Sequence, residues 1–451
     1  MYLSPRDKKA FMLDKFMRFI KGKKDPATAD VRIPFGRYSD NNKSVAKTNR
    51  WTEADQLFKE KKYTESIRSF FDYLKDDEQE NVRFSGQQNP FSFEFYQGSK
   101  VVRGTMEDGR LSAEVVLAKM NHPSVPVMRR LLEMNFGLYY SRFAMHKDAL
   151  CMRFDTHIET ANPNKLYYGL KELAIKSDKH DDLLIQDFGA LEQTDVEHIS
   201  EIPDTEKQVK YDAMQEWIAE TLEKTASVDA DKFSAGISYL LLALVYRIDF
   251  LIAPEGQLLN DLEKISNIYF GKDEKSVVEK NRDMIEEFKM LQEKSKEEVF
   301  KNLFRSKYTF SIVAPKTHKT VATAIADANK NMAWYLDNNQ AYFANKIIEY
   351  GLTFCQYCYS LPKPISQMIE LFMHINYPEY FRSLGYTESL YVKANDKLNE
   401  GEIAGRIRDI QSQWKEKYTT LNFRTDLLNF TNLQKFNLSF ATQIESLNMD
   451  N

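Results

Sequence analysis

Between Phe91 and Ile158 the apolar side chains return at every second position, whereas elsewhere in this 451-residue chain they return at every third or fourth. Phe91, Phe93 and Phe95 alternate with Ser92 and Glu94, and Leu111, Ala113, Val115 and Leu117 alternate with Ser112 and Glu114. A period of two places such residues on one face of a sheet and forbids a helix over the same span. Gly98 lies in the first connection and Asp108-Gly109, a strong hairpin signal, in the second. A further hairpin carries Tyr139, Phe143 and Met145, turns at Lys147-Asp148, and returns with Leu150, Met152, Phe154 and Ile158.

The flanking segments are helical by period. "WTEADQLFKEKKYTESIRSFFDYL", residues 51–74, reads as a helical hairpin and looks like half of a tetratricopeptide repeat, with no second copy at the required spacing. Ser124 is the expected N-cap of a helix with Val127, Met128, Leu131, Leu132 and Met134 on one face, and Asn162-Pro163 opens a helix with Leu166, Leu170 and Leu173. The expectation for residues 51–187 is an α+β domain in the order helix, three antiparallel strands, helix, two strands, helix.

Residues 188–206 are acidic and aperiodic and read as a linker. Residues 207–395 read as a helical bundle or array, with helices over 207–224, 231–253, 256–270, 272–305, 317–337, 339–360 and 364–376. Residues 396–451 comprise a helix at 402–418 and an Asn- and Thr-rich stretch, either a loosely held tail or an arm that docks on a partner. Residues 1–50 hold a basic amphipathic helix, with Met12, Phe16 and Ile20 on its apolar face, then a polar linker.

Charge is uneven. Residues 1–50 contain thirteen Lys and Arg against five Asp, a surplus of +8, while the whole chain is −4, so the body is acidic. That balance argues against a general nucleic-acid binder, which needs clustered cations for phosphate. The basic N-terminal helix is read as packed on its own protein in preference to a membrane surface. The apolar run at 239–253 is broken by Arg247 and Asp249 and falls short of the roughly 20 residues a bilayer needs, so it reads as a buried helix whose charges pair with other helices. Three cysteines and a charged opening point to the cytosol.

Cys355-x-x-Cys358 has redox or zinc spacing. It falls at the end of a helix that Leu361-Pro362 stops, where the dipole opposes a thiolate, and His374 is the nearest further donor. The pair is therefore read as packing residues. His146 and His157 lie on paired strands near enough in sequence to approach one another. No nucleophile elbow, phosphate loop or zinc-protease motif occurs. No cofactor, metal or catalytic residue is expected.

"VPVMRRLLEMNFGLYYSRFAMHKDALCMRFDTHIETANPNKLYYGLKELAIKSDKHDDLL" resembles the type III secretion chaperone-like superfamily, above all its bacterial YbjN branch. The resemblance rests on Leu131, Leu132 and Asn135 before a hairpin, the Lys147-Asp148 turn, and Asp178, Asp182 and Leu183 in the closing helix, and covers residues 51–187. It implies a small, commonly dimeric binding protein without catalysis. The expected function is a non-catalytic accessory or chaperone-like factor that binds a segment of a partner protein on the sheet or an exposed edge strand. Tyr96, Val101, Val116 and Tyr140, on the polar-side register, are the candidate contacts, with Phe16 and Ile20 in the N-terminal helix. The alternative is a helical scaffold subunit whose α+β domain serves for homodimerisation.

Overall fold

The computed structural model describes residues 33–36, 43–76, 79–86, 90–195, 198–313 and 316–447. The alternating segments form one antiparallel sheet from β1 (Val82–Ser85), β2 (Phe91–Gly98), β3 (Lys100–Glu107), β4 (Arg110–Met120), β5 (Arg142–His146) and β6 (Ala149–His157), in the order β1-β2-β3-β4-β6-β5. Its inner face carries Phe91, Phe93, Phe95, Val102, Leu111, Val115, Met152 and Phe154, all buried. Against that face lie α1 (Val45–Lys59), α2 (Tyr63–Leu74) and the long α4 (Pro163–Asp187), while α3 (Val125–Asn135) stands at the β5 edge. Helix and sheet approach closely because Gly169 faces the Phe154 ring, where a Cβ would lie 2.6 Å from a ring carbon.

The strand expectations hold, with additions. β1 was missed because its four residues, Val-Arg-Phe-Ser, are too few to display a period. α1 begins at Val45 instead of Trp51, since the Ser44 hydroxyl accepts the Lys47 N–H and caps the helix inside the expected linker. Ile33, Pro34, Phe35 and Gly36 also belong to the fold: Phe35 packs on Phe381, with ring centroids 5.2 Å apart, and the Gly36 N–H donates to the Phe250 carbonyl. The segment 188–206 is not a free linker. Its β7 (Leu191–Gln193) pairs with β4 and its β8 (Ser200–Glu201) pairs with a strand 100 residues on.

The rest is mostly helical: α5 (Asp204–Ala226), α6 (Ser234–Arg247), α7 (Gly256–Phe270), α8 (Val277–Gln292), α9 (Lys296–Lys301), α10 (His318–Lys330), α11 (Met332–Asp337), α12 (Ala341–Cys358), α13 (Lys363–Asn376), α14 (Pro378–Ser383), α15 (Glu400–Trp414) and α16 (Leu433–Glu445). The single helix expected over 272–305 is two, each opened by a capping box, Ser276 with Glu279 and Ser295 with Glu298. The expected polar tail is also corrected. α16 buries Phe436, Phe440 and Ile444 against the bundle, and Asn437 exchanges amide hydrogen bonds with Asn376.

Among the described residues one helical stretch, Ser234–Ile252, is long and apolar enough to cross a membrane, and 89% of it is buried within the fold. Its last five residues, Ile248–Ile252, wind as a π-helix, ended by Ala253 in the left-handed region at φ 50°. Arg247 pairs with Glu349 at 2.7 Å and lies over the Trp217 and Tyr377 rings. Lys346 and the Tyr377 hydroxyl complete the shell of Glu349. Interhelical pairing of Arg247 is thus as the sequence required.

Two cores result, one under the sheet and one in the bundle, and a strap joins them. After α9 the chain makes β9 (Phe304–Arg305), which pairs with β8, and β10 (Lys307–Tyr308), which pairs with the end of β2. Phe310 then enters the sheet core, fully buried, its ring edge-on to Phe95. The Gln97 amide clasps the strap, accepting the Thr309 and Phe310 N–H groups at 3.3 and 3.0 Å and donating to the Phe310 carbonyl at 3.2 Å. Beside it Lys100 and Asp181 form a fully buried ion pair at 2.7 Å. Phe310→Ala is expected to cost about 3–5 kcal/mol of unfolding free energy, as for a large buried ring. Urea unfolding checks this, and a loss below about 1 kcal/mol would show that the ring is not a core residue.

Candidate protein-docking surface

α3 is amphipathic, yet it buries only Val127 and Leu131. Val125, Leu132 and Phe136, at steps of seven and four along its other side, stand in solvent, Phe136 at 94% exposure. Leu132 was expected on the buried face. It lies outside because α3 has the sheet on one side and, among the described residues, no second layer on the other. The chain then turns through Gly137 and presents Tyr139, 91% exposed, and Tyr140 before entering the edge strand β5, whose Met145 is also exposed.

Two side chains fix this corner. The Glu172 carboxylate on α4 accepts the N–H groups of Tyr139, Tyr140 and Ser141, each at 2.8 Å, and the Ser141 hydroxyl at 2.7 Å. Burial pushes the Glu172 carboxyl up, but those donors outweigh it and hold it below the usual carboxylate value. Asn135, at the end of α3, accepts the Phe143 N–H of β5 at 2.9 Å and so ties helix to strand. One turn before Glu172 on the same face, Tyr168 is exposed and extends the apolar surface. Arg129, Arg130 and Arg142 are exposed around it, with Glu133 beside Arg130 at 3.6 Å.

The sequence-derived contacts fare unevenly. Tyr140 belongs to this corner. Tyr96 and Val101 do face away from the inner core, but both are buried, and Asp195 and His198 lie over that end of the sheet. His198 stacks on Tyr96 at 5.3 Å and Asp195 pairs with Arg103. Val116 is half-buried opposite Cys151. Phe16 and Ile20 lie outside the described residues. The signal that marked the corner in the sequence was the run Phe136-Gly-Leu-Tyr-Tyr140, too apolar for a turn.

The remaining outer face of the sheet is polar. In register across the strands run Arg83, Glu94, Arg103, Glu114 and Arg153, with Ser85, Ser92, Thr105 and Ser112 in the next row. They line an open depression of about 600 Å³. Its charges are paired with one another, as at Arg153 and Glu114, 2.8 Å apart. This is the solvated side of a one-sided antiparallel sheet.

His146 and His157 do not meet. His146 pairs in register with Ala149 and His157 with Arg110, placing them at opposite ends of β6, roughly 27 Å apart by strand rise. Among the described residues no group of three or more His, Cys, Asp or Glu is placed to hold a metal ion. Cys355 is buried in the bundle with its sulfur 3.8 Å from the Val321 carbonyl, and burial pushes both thiols up, Cys358 to about 12. The pair packs, as its position at the end of α12 required.

No family model and no curated protein matches this chain. The residues that carried the family resemblance nevertheless have local tasks: Leu131 packs, Asn135 ties the edge, and Asp178 accepts the Ser99 N–H at 2.7 Å.

Because the folded Glu172 carboxyl titrates below its unfolded value, its contribution is complete above the unfolded value and lost as pH falls through the folded one. Wild-type stability is therefore expected to fall more steeply than that of Glu172→Gln between about pH 5 and about pH 3. Urea unfolding across that range checks this. Faster amide exchange at Tyr139, Tyr140 and Ser141 in the variant is the local readout.

Proposed function

We propose that this chain is a non-catalytic accessory or chaperone-like factor that binds an apolar segment of a partner protein at the corner of α3, the 136–141 turn and β5. The single observation that carries the reading is the cluster of exposed Leu132, Phe136, Tyr139, Tyr140 and Met145 within fourteen residues of chain, held rigid by Glu172 and Asn135. Monomeric surfaces scatter large apolar groups singly, whereas a contiguous patch of aromatics, Leu and Met with arginines at its rim has the composition of an interface. Presentation on a fixed backbone also lowers the entropy lost on binding.

The reading keeps the expected relation to the chaperone-like superfamily and a bacterial, cytosolic setting as part of the proposal, since members of that kind bind protein segments without chemistry. The partner side is expected to offer an apolar strand or helix face with acidic flanks, matching Arg129 and Arg130; Arg142 is already paired with Asp155. Asn135 already occupies one edge N–H of β5, so side-chain burial at the corner contributes more than strand addition.

Phe136→Asp combined with Tyr139→Asp removes the patch at two exposed positions, so unfolding free energy is expected to change by less than about 0.5 kcal/mol each. Quantitative capture with tagged wild-type and variant full-length chains tests the reading. A protein recovered stoichiometrically by the wild type and lost from the variant supports it. Identical recovery by both chains would sink it, and conversion of a wild-type dimer to a monomer would replace it with the dimerising scaffold.

A further inference from the structure

A cavity of about 410 Å³ opens on the far side of the strap, between residues 34–36, the π-helix, residues 311–313, the end of α12 and the start of α13. That volume is in the range of small-molecule sites. Phe35, Phe250, Ile312, Tyr357 and Tyr359 supply apolar and aromatic wall. The π-helical winding that turns residues 249 and 250 toward it is a feature often found at functional sites, and the left-handed Ala253 beyond it is a strained conformation for a residue with a Cβ.

Carboxylates outnumber cations on this wall, Asp249, Glu263 and Glu370 against Lys363. Gln356 Oε1 is buried and finds no hydrogen-bond partner among the described residues. Glu370 lines the cavity, half-buried, and the charge that acts on its carboxyl is that of Arg406. Asp249 is a third oxygen-bearing wall residue, 5% exposed and already engaged with another group of the chain, which leaves Gln356 and Glu370 as the acceptors open to a ligand. Acceptors held out of water are costly until a donor reaches them, and a donor that also carries positive charge compensates a carboxylate best. Aromatic faces favour the same kind of ligand through their quadrupoles.

We propose that this cavity binds a small organic cation, an amine or guanidine carried on an apolar body, with Glu370 and Gln356 taking its N–H groups and the aromatic wall its hydrocarbon. Burial pushes the Glu370 carboxyl up to about 7 against the pull of Arg406. The charged groups facing it from the neighbouring elements are Asp249 of the π-helix, Lys363 of α13, Glu263 of α7 and Arg406 of α15; Glu263 is paired with Lys179 at 2.7 Å and Arg406 with Glu388 at 3.0 Å, and Asp249 and Lys363 are likewise engaged by other groups of the chain. A seated cation favours the ionised carboxylate, so affinity rises and the bound proton is released as pH increases through this region.

Calorimetry on the full chain with phenethylammonium, 2-phenylethanol and phenylacetate, matched in size and differing in charge, tests the assignment. Saturable one-site binding of the ammonium is expected, tighter at about pH 8 than at about pH 6, with the alcohol about tenfold weaker or more and no binding of the anion. Glu370→Gln is expected to lose about tenfold in affinity together with the pH dependence, while unfolding no more easily than wild type in the absence of ligand. Gln356→Leu, which leaves every charge in place, should weaken the ammonium at both pH values. Equal affinity for all three probes, no saturable binding of the ammonium, or unchanged affinity in both variants would overturn the proposal.

Discussion

Phe310 belongs by sequence to the helical half of the chain and by packing to the core under the sheet. That one insertion makes the two halves a single body. It closes the sheet core at the end of β2, where the Gln97 amide would otherwise be buried beneath the sheet with no backbone to bind. It also brings Tyr308 and Ser306 onto Glu255, at 2.6 and 2.7 Å, so the loop into α7 is fixed from the same strap. An unmade hydrogen bond inside costs more than a made one gains, so once the ring is seated the polar groups around it have one arrangement that satisfies them.

The buried ion pairs act in the same sense. Lys100 with Asp181 and Arg247 with Glu349 are enclosed, and neither is a strong source of stability once desolvation is counted. What they do contribute is register. Arg247 fits only where Glu349 and the rings of Trp217 and Tyr377 converge, and Lys100 only where α4 places Asp181 under the β2–β3 turn. Gly98 makes that turn possible, because at φ +54° it has no Cβ, and one would lie 2.2 Å from the Asp178 carboxyl oxygens. Among the described residues, the exposed Phe136 and Tyr139 stand out as apolar surface that neither core takes up.

Much of the architecture was legible because it is periodic. The alternation of Phe91, Phe93 and Phe95 and of Leu111 to Leu117 gave strands that form where expected, and helix boundaries such as those at Gly256 and Lys363 follow from turn residues and proline. The misreadings have local causes. The Ser276 and Ser295 capping boxes divide a span whose apolar spacing alone looked continuous. The Asn-rich C-terminus looked like a tail because Asn lowers mean hydropathy, yet Asn437 is buried with its amide satisfied by Asn376. For the candidate surface, the sequence pointed to Tyr140 and to an edge strand but chose Tyr96 and Val101 on alternation, a rule that tells which face a side chain takes and not whether another segment covers it.

The chain by itself determined its element types, the hairpin turns, the helical second half, the need for Arg247 to find a partner and the packing role of Cys355 and Cys358, since each of these follows from spacing within a few residues. Only the tertiary structure decided that residues 304–310 return to the sheet, that His198 covers Tyr96, and that the outer side of α3 is left exposed among the described residues. The first two outcomes depend on contacts between segments about 100 to 200 residues apart, as with β8 and β9 or β10 and β2. Local period carries no information about which distant backbone will supply the partner, and that choice is made by the packing of the whole core.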